Sequence, residues 1–382
     1  MQEMTDSFAL TDSILFTGET FVEGQALLVK EDKILDIVSN SKIPPNFRLH
    51  PLPHSIIAPA YIDCQVNGGD NVLFNAQPTE KTALKIAAAH RKKGTTSLLP
   101  TVITDAPEVT RSAITAIRSA KKQDSSILGI HIEGPHISKL NKGVHDEKYI
   151  RELNTDDLDL YRPETKEIIL LTLAPETVPP EQIRQITEQG VIVFLGHTAA
   201  TPEQIRQSLK AEARGFTHLF NGMGPIASRA IGPAGTALDE EQSWASIIAD
   251  NHHVAPELIR LAVKVKENLF FVSDAMAPAG TDVPAPFNLG ERTITPQEDI
   301  CVDENGTIAG AILTLGEIVP IAIRDIGLDP QRALQMASNL PAQFLGLDDQ
   351  LGKLLPNFKA DIVALDHSFN VQKVWKNGKE VV

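Results

Sequence analysis

Four side chains in this 382-residue sequence have the types needed to hold a divalent ion and move a proton beside it: Glu133, His197, His218 and Asp274. Glu133 closes the apolar run Ile130-His131-Ile132-Glu133, where an unpaired carboxylate would be costly to bury. His197 lies in Phe194-Leu195-Gly196-His197-Thr198, His218 in Phe216-Thr217-His218-Leu219, and Asp274 in Val272-Ser273-Asp274-Ala275. Taken singly, each has an ordinary structural reading: a salt-bridged glutamate, hydrogen-bonded core histidines, an aspartate capping a turn. The set reads differently. One carboxylate and two imidazoles leave an open position on a borderline metal such as Zn²⁺, as a catalytic centre requires. A metal-bound water with a lowered pKa, beside a carboxylate able to take its proton, is a hydrolytic centre. The ligands are far apart along the chain, which excludes a zinc finger and demands a fold that converges strands.

These residues fall at the ends of apolar segments that alternate with helical patterns. Strands are expected at about Ala60–Val66, Thr95–Thr101, Ile127–Glu133, Ile168–Ala174, Val191–His197, Phe216–Leu219, Ala245–Asp250 and Leu269–Asp274. Thr201-Pro202 is an N-cap followed by Pro at the first helical position, with Gly215 as the stop; Pro179-Pro180 to Gly190 and Pro256 to Lys266 look similar. Asp329-Pro330 opens a helix running to about Gly346. Strands alternating with helices, and no glycine-rich nucleotide fingerprint after the first strand, favour a (β/α)8 barrel over an open doubly wound sheet. The barrel is assigned to residues 58–349, with Asp282–Gly310 as an inserted β hairpin. Gln65, Asn67, Glu133, His197, His218, His252, His253 and Asp274 then gather at the C-terminal rim, where barrel enzymes build their sites.

Both chain ends read as short strands. Ser13–Phe16, Gln25–Lys30 and Lys33–Val38 lie at one end; Ala360–Leu365, Val371–Trp375 and Lys379–Val382 lie at the other, with Asn377-Gly378 as a hairpin signal. One small β-sandwich domain from residues 1–57 and 350–382 is the expectation. The first residues lack a basic start followed by an apolar block, and no apolar run reaches the length of a membrane span. Two cysteines, Cys64 and Cys301, fit a reducing, cytoplasmic setting rather than a disulfide framework. A formal net charge of −14 argues against nucleic acid as a partner and requires any anionic substrate to meet a locally positive pocket.

At these residues the sequence resembles the N-acetylglucosamine-6-phosphate deacetylases, a branch of the amidohydrolase superfamily. The similarity spans nearly the whole chain. It includes Ala58-Pro59-Ala60-Tyr61-Ile62-Asp63 leading into Gln65-Val66-Asn67-Gly68, then His131-Ile132-Glu133-Gly134-Pro135, Lys142-Gly143-Val144-His145 and Gly196-His197-Thr198. Thr217-His218-Leu219-Phe220-Asn221-Gly222-Met223, Ala249-Asp250-Asn251-His252-His253, Ser273-Asp274-Ala275-Met276 and Lys359-Ala360-Asp361-Ile362-Val363 continue it. The resemblance implies Glu133, His197 and His218 as metal ligands, Asp274 as catalytic acid/base and His145 as the group polarising the acetamide carbonyl. It implies sugar-phosphate contacts from Asn221, Gly222, Arg229 and His253, and Leu313 near the acetyl group. It also implies a homodimer or dimer-based oligomer in which Arg229 reaches a neighbour's site.

One departure matters. Much of the superfamily carries His-x-His after strand one and binds two metals; here those positions are Gln65 and Asn67. Amides are poor ligands for Zn²⁺ beside imidazole. One divalent ion per subunit is therefore expected, zinc first, with iron, cobalt or manganese as alternatives. Gln65 and Asn67 then face water or substrate at the vacated position. The expected substrate is an N-acetylated amino-sugar phosphate. A cyclic-amide hydrolase of the same superfamily, or a barrel that has lost catalysis and serves as an assembly or sugar-sensing module, are the competing readings; Gln65 and Glu133 speak against the first and the retained set of four against the second. Without the resemblance Arg229 reads as a solvated charge, and His131 and His136 read as structural.

Overall fold

The computed structural model describes residues 7–382. Eight strands form one sheet, each beside its neighbour in sequence: Tyr61–Val66, Thr95–Ile103, Gly129–Glu133, Ile168–Leu173, Ile192–Leu195, Gly215–Phe216, Trp244–Ile247 and Leu269–Phe271. The registered pairs are parallel, and past the eighth strand Ala275 bridges back to Val66 of the first, so the sheet nearly closes. This is the expected barrel. Its strands read as apolar runs because a parallel sheet is covered on both faces; strand two is buried along its whole length.

The helix signals hold, with informative differences at the ends. Pro202–Lys210 opens on a capping box between Thr201 and Gln204. It stops well before Gly215, which begins strand six instead. A Cβ on Gly215 would lie 2.2 Å from the carbonyl oxygen of Trp244, so close strand approach, not helix termination, requires glycine there. The span opened by Asp329 is two helices, Pro330–Ala337 and Asn339–Leu345, broken at Ser338. Pro341 explains the break, since in a continuous helix its ring would clash with the carbonyl of Ala337. The insertion expected as a hairpin is a four-stranded antiparallel sheet of Phe287–Leu289, Arg292–Gln297, Ile300–Val302 and Ile308–Ala311. Leu289, Ile294, Cys301 and Ala309 share a core with Leu73, Ile103 and Met276.

The chain ends form two sheets. One runs Lys33–Ser39, Gln25–Lys30, Ser7–Thr11, Arg48–Pro51; the other runs Lys379–Glu380, Val371–Lys376, Ile362–Leu365, Ile56–Pro59, Ile14–Phe16, Phe21–Val22. Phe8, Leu10, Leu27 and Val29 of the first meet Leu15, Ile57, Ile362 and Trp375 of the second in one core, the sandwich arrangement. Asn377 and Gly378, at φ of +49° and +73°, make the tight turn their sequence signals. The chain forms two compact units: one holds the residues through Asp63, His90–Ser97 and Thr314–Val382, the other Cys64–Ala89 and Leu98–Leu313. Among the described residues no helix is long and apolar enough to cross a membrane.

Candidate metal centre and active site

Glu133 is the last residue of strand three. His197, His218 and Asp274, expected in or at the ends of their strands, lie beyond them: strands five, six and eight stop at Leu195, Phe216 and Phe271. All three adopt left-handed backbone, with φ of +46°, +30° and +51°. A residue inside the ladder has its direction set by the pleat; one just past it can rotate its side chain towards the barrel axis. Each such conformation costs on the order of 1–3 kcal/mol and persists only where neighbours enforce it. At His218 the enforcement is visible: its N–H donates to Ser246 Oγ at 2.8 Å, and Leu219 N–H donates to the Ser246 carbonyl at 2.7 Å.

The three donors converge on one point. Glu133 Oε1 lies 3.1 Å from His197 Nε2 and 2.8 Å from His218 Nε2, and the two nitrogens are 3.1 Å apart. Donors about 2.0–2.1 Å from a tetrahedral ion sit ~3.3 Å from one another, so this triangle has the size of one face of a zinc-type site. The donor chemistry fits as well. His197 Nδ1 must donate to the Asn141 carbonyl at 2.8 Å, which leaves Nε2 with its lone pair for a metal. Burial alone would raise the Glu133 pKa, but His197 and His218 beside it hold it well below the usual carboxylate range. Gly222, at φ +60°, makes room for the His197 ring: a Cβ there would stand 2.8 Å from its Nδ1.

Gln65 and Asn67 turn their amide donors on the carboxylates. Gln65 Nε2 lies 3.1 Å from both Glu133 Oε1 and Asp274 Oδ1, and Asn67 Nδ2 donates to the same Asp274 oxygen at 2.7 Å. Burial, then the nearby Glu133 charge, pushes the Asp274 pKa up to about 6. His145 Nδ1 is 2.7 Å from Thr104 Oγ1, and its Nε2 is 3.9 Å from Glu133 Oε2. Burial, reinforced by the neighbouring His197, drives the His145 pKa down to about 3, so the ring is neutral. His253 Nδ1 donates to the fully buried Asp250 at 2.6 Å.

A cavity of about 160 Å³ opens over the centre, lined by Asn67, Glu133, His145, His197, His218, Asn221, Gly222, His253 and Asp274. Gln65 does not line it but donates to the two carboxylates that do. Arg229 is exposed and Leu313 is buried, and neither lines this cavity. A larger cavity, about 390 Å³, shares Ile103 and Val144 with it, but Lys142, Lys148 and Arg292 there are each already paired with a carboxylate. Sequence reasoning did not single out Thr104, Asn141, Ser246 or Asp250. Only Asp250 carried a local cue, an aspartate three residues before His253.

Comparison with known proteins follows the same line. The profile of the Amidohydrolase family matches residues 56–381. An N-acetylgalactosamine-6-phosphate deacetylase of Shewanella sp. (strain ANA-3) is 38% identical over 338 residues, 88% of this chain and 84% of that protein. An N-acetylglucosamine-6-phosphate deacetylase of Haemophilus influenzae is 31% identical over 376 residues, 97% of this chain and 98% of that protein. The crystal structure of N-acetylglucosamine-6-phosphate deacetylase from Pasteurella multocida superposes with a TM-score of 0.93 at 34% identity, covering 98% of this chain and 99% of the other.

Proposed function

The chain belongs to the amidohydrolase family, and on that premise we propose that it hydrolyses N-acetyl-D-glucosamine 6-phosphate to D-glucosamine 6-phosphate and acetate. The observation that carries this reading is the convergence of Glu133, His197 and His218 on one point, tied to Asp274 through Gln65. These three residues would hold a single divalent ion, zinc in the first instance. When bound, such an ion supplies a water of lowered pKa and a Lewis acid for the acetamide carbonyl.

The chain's own groups do the rest. Asp274 takes the proton of the attacking water and returns it to the departing amine nitrogen; a carboxylate whose pKa is raised towards neutrality suits both halves of that task. Gln65 and Asn67 aim it by holding one of its oxygens. His145 donates a hydrogen bond from Nε2 to the carbonyl oxygen as charge builds there. Asn221, Gly222, Arg229 and His253 are assigned to the sugar phosphate, and Leu313 to the acetyl methyl. In this reading residues 58–349 are the catalytic barrel, the two chain ends are the small β domain, and the enzyme works in the cytoplasm as a homodimer.

A second reading has its own support: the Shewanella relative, the more similar of the two quoted above, is named for the galacto epimer. The experiment is amine release from both N-acetylhexosamine 6-phosphates, with and without chelator, beside a metal analysis. Chelator-sensitive release with the higher kcat/KM on the gluco epimer, and one tightly held ion per chain, is the expected result. Faster turnover of the galacto epimer installs the second reading; no chelator-sensitive release from either ends both.

A further inference from the structure

We propose that Thr104 is a positioning residue whose hydroxyl decides which nitrogen of His145 carries the proton. The inference rests on the role given to His145 above, which needs a proton on Nε2. A neutral imidazole has one proton for two nitrogens, and its other partner selects the tautomer. Thr104, one residue past strand two, is buried, and its Oγ1 lies 2.7 Å from His145 Nδ1. A hydroxyl can donate or accept, so the question is where its own proton goes.

The alternative acceptor for that proton is the Glu133 carbonyl at 3.5 Å, the outer limit of a hydrogen bond. Donation to Nδ1 at 2.7 Å is far shorter. It leaves Nδ1 bare and puts the proton on Nε2. The other side of the ring agrees. Nε2 faces Glu133 Oε2 at 3.9 Å, where an N–H is attracted and a lone pair would be repelled. The backbone makes room for the arrangement: at Gly134, φ +83°, a Cβ would stand 2.1 Å from Thr104 Oγ1. The glycine after the metal-ligating glutamate thus leaves space for the hydroxyl.

The test pairs Thr104→Val, which keeps the shape and removes the hydroxyl, with Thr104→Ser, which keeps the hydroxyl. Loss of one neutral hydrogen bond lowers kcat only about tenfold, whereas a wrong tautomer in a catalytic triad costs on the order of 10⁴, so T104V is expected between these limits. KM and metal content stay as in the wild type, and T104S regains most of the rate. In ¹⁵N-histidine spectra of the metal-loaded wild type, with the His145 signals assigned by their loss in His145→Gln, Nε2 should be protonated and Nδ1 bare. A proton on Nδ1, a T104V enzyme with wild-type kcat, or a T104S enzyme as slow as T104V would each overturn the proposal. If no N-acetylhexosamine phosphate is hydrolysed at all, the functional reading fails, while the spectra still decide the tautomer.

Discussion

Replacing Gly222 by alanine puts the metal-centre reasoning at greatest risk. The new Cβ would lie 2.8 Å from His197 Nδ1, 3.2 Å from Cε1 and 3.3 Å from Cγ. Restoring ordinary contact moves the imidazole by at least ~0.6 Å. That shift acts on the atom that donates to Asn141 at 2.8 Å, the bond that orients the His197 ring. Alanine at φ +60° adds a backbone cost of about 1 kcal/mol. Loss of such an orienting bond weakens metal affinity about 10–100-fold, or roughly 1.4–2.7 kcal/mol of binding. The assay is chelator competition on purified G222A, with a thermal melt of the metal-free protein to separate misfolding from lost affinity. Gly224→Ala is the control, because the nearest atom to its Cβ is Pro233 Cδ at an ordinary 3.5 Å. G222A binding metal as tightly as G224A and the wild type would refute this role of Gly222.

Two further changes probe other parts of the structure. Asp274→Asn can keep an oxygen towards Gln65 and Asn67 while removing the base, so metal content should hold while turnover falls by about 10²–10⁴; turnover within tenfold of wild type removes Asp274 from the chemistry. Lys266 is buried, its ammonium donating to the Glu240 carbonyl at 2.9 Å and to Ser243 Oγ at 3.0 Å, and burial pushes its pKa down to about 8. Between about pH 8 and the ordinary lysine value near 10.4, the unfolded chain holds a proton that the folded chain has released, so wild-type stability rises with pH across this window. Urea melts at pH 7.5 and pH 10 should show that rise in the wild type and not in Lys266→Met; parallel pH profiles would refute it.

Several features are legible in the sequence alone. Parallel strands covered on both faces must be apolar along their length, so the barrel announced itself as apolar runs spaced by capped helices. Carboxylates and imidazoles inside such runs are costly unless they have partners, which is why Glu133, His197, His218 and Asp274 stood out, and why Gln65 and Asn67 could be noticed as amides where histidines are usual. Local pattern reports burial and period. It does not report which distant residues meet, because that depends on register and barrel closure. Only the tertiary structure put His197, His218 and Asp274 past their strands in left-handed backbone, gave Gly222 the task of clearing space for His197 and Gly215 that of admitting strand seven, and set Thr104 against His145. The sequence on its own determined that a carboxylate and two imidazoles were available to a metal, since residue type sets what an atom can donate or accept. The aim of that chemistry came from the fold, because bringing three donor atoms to about 3 Å of one another takes several strands, each stopped at the right residue.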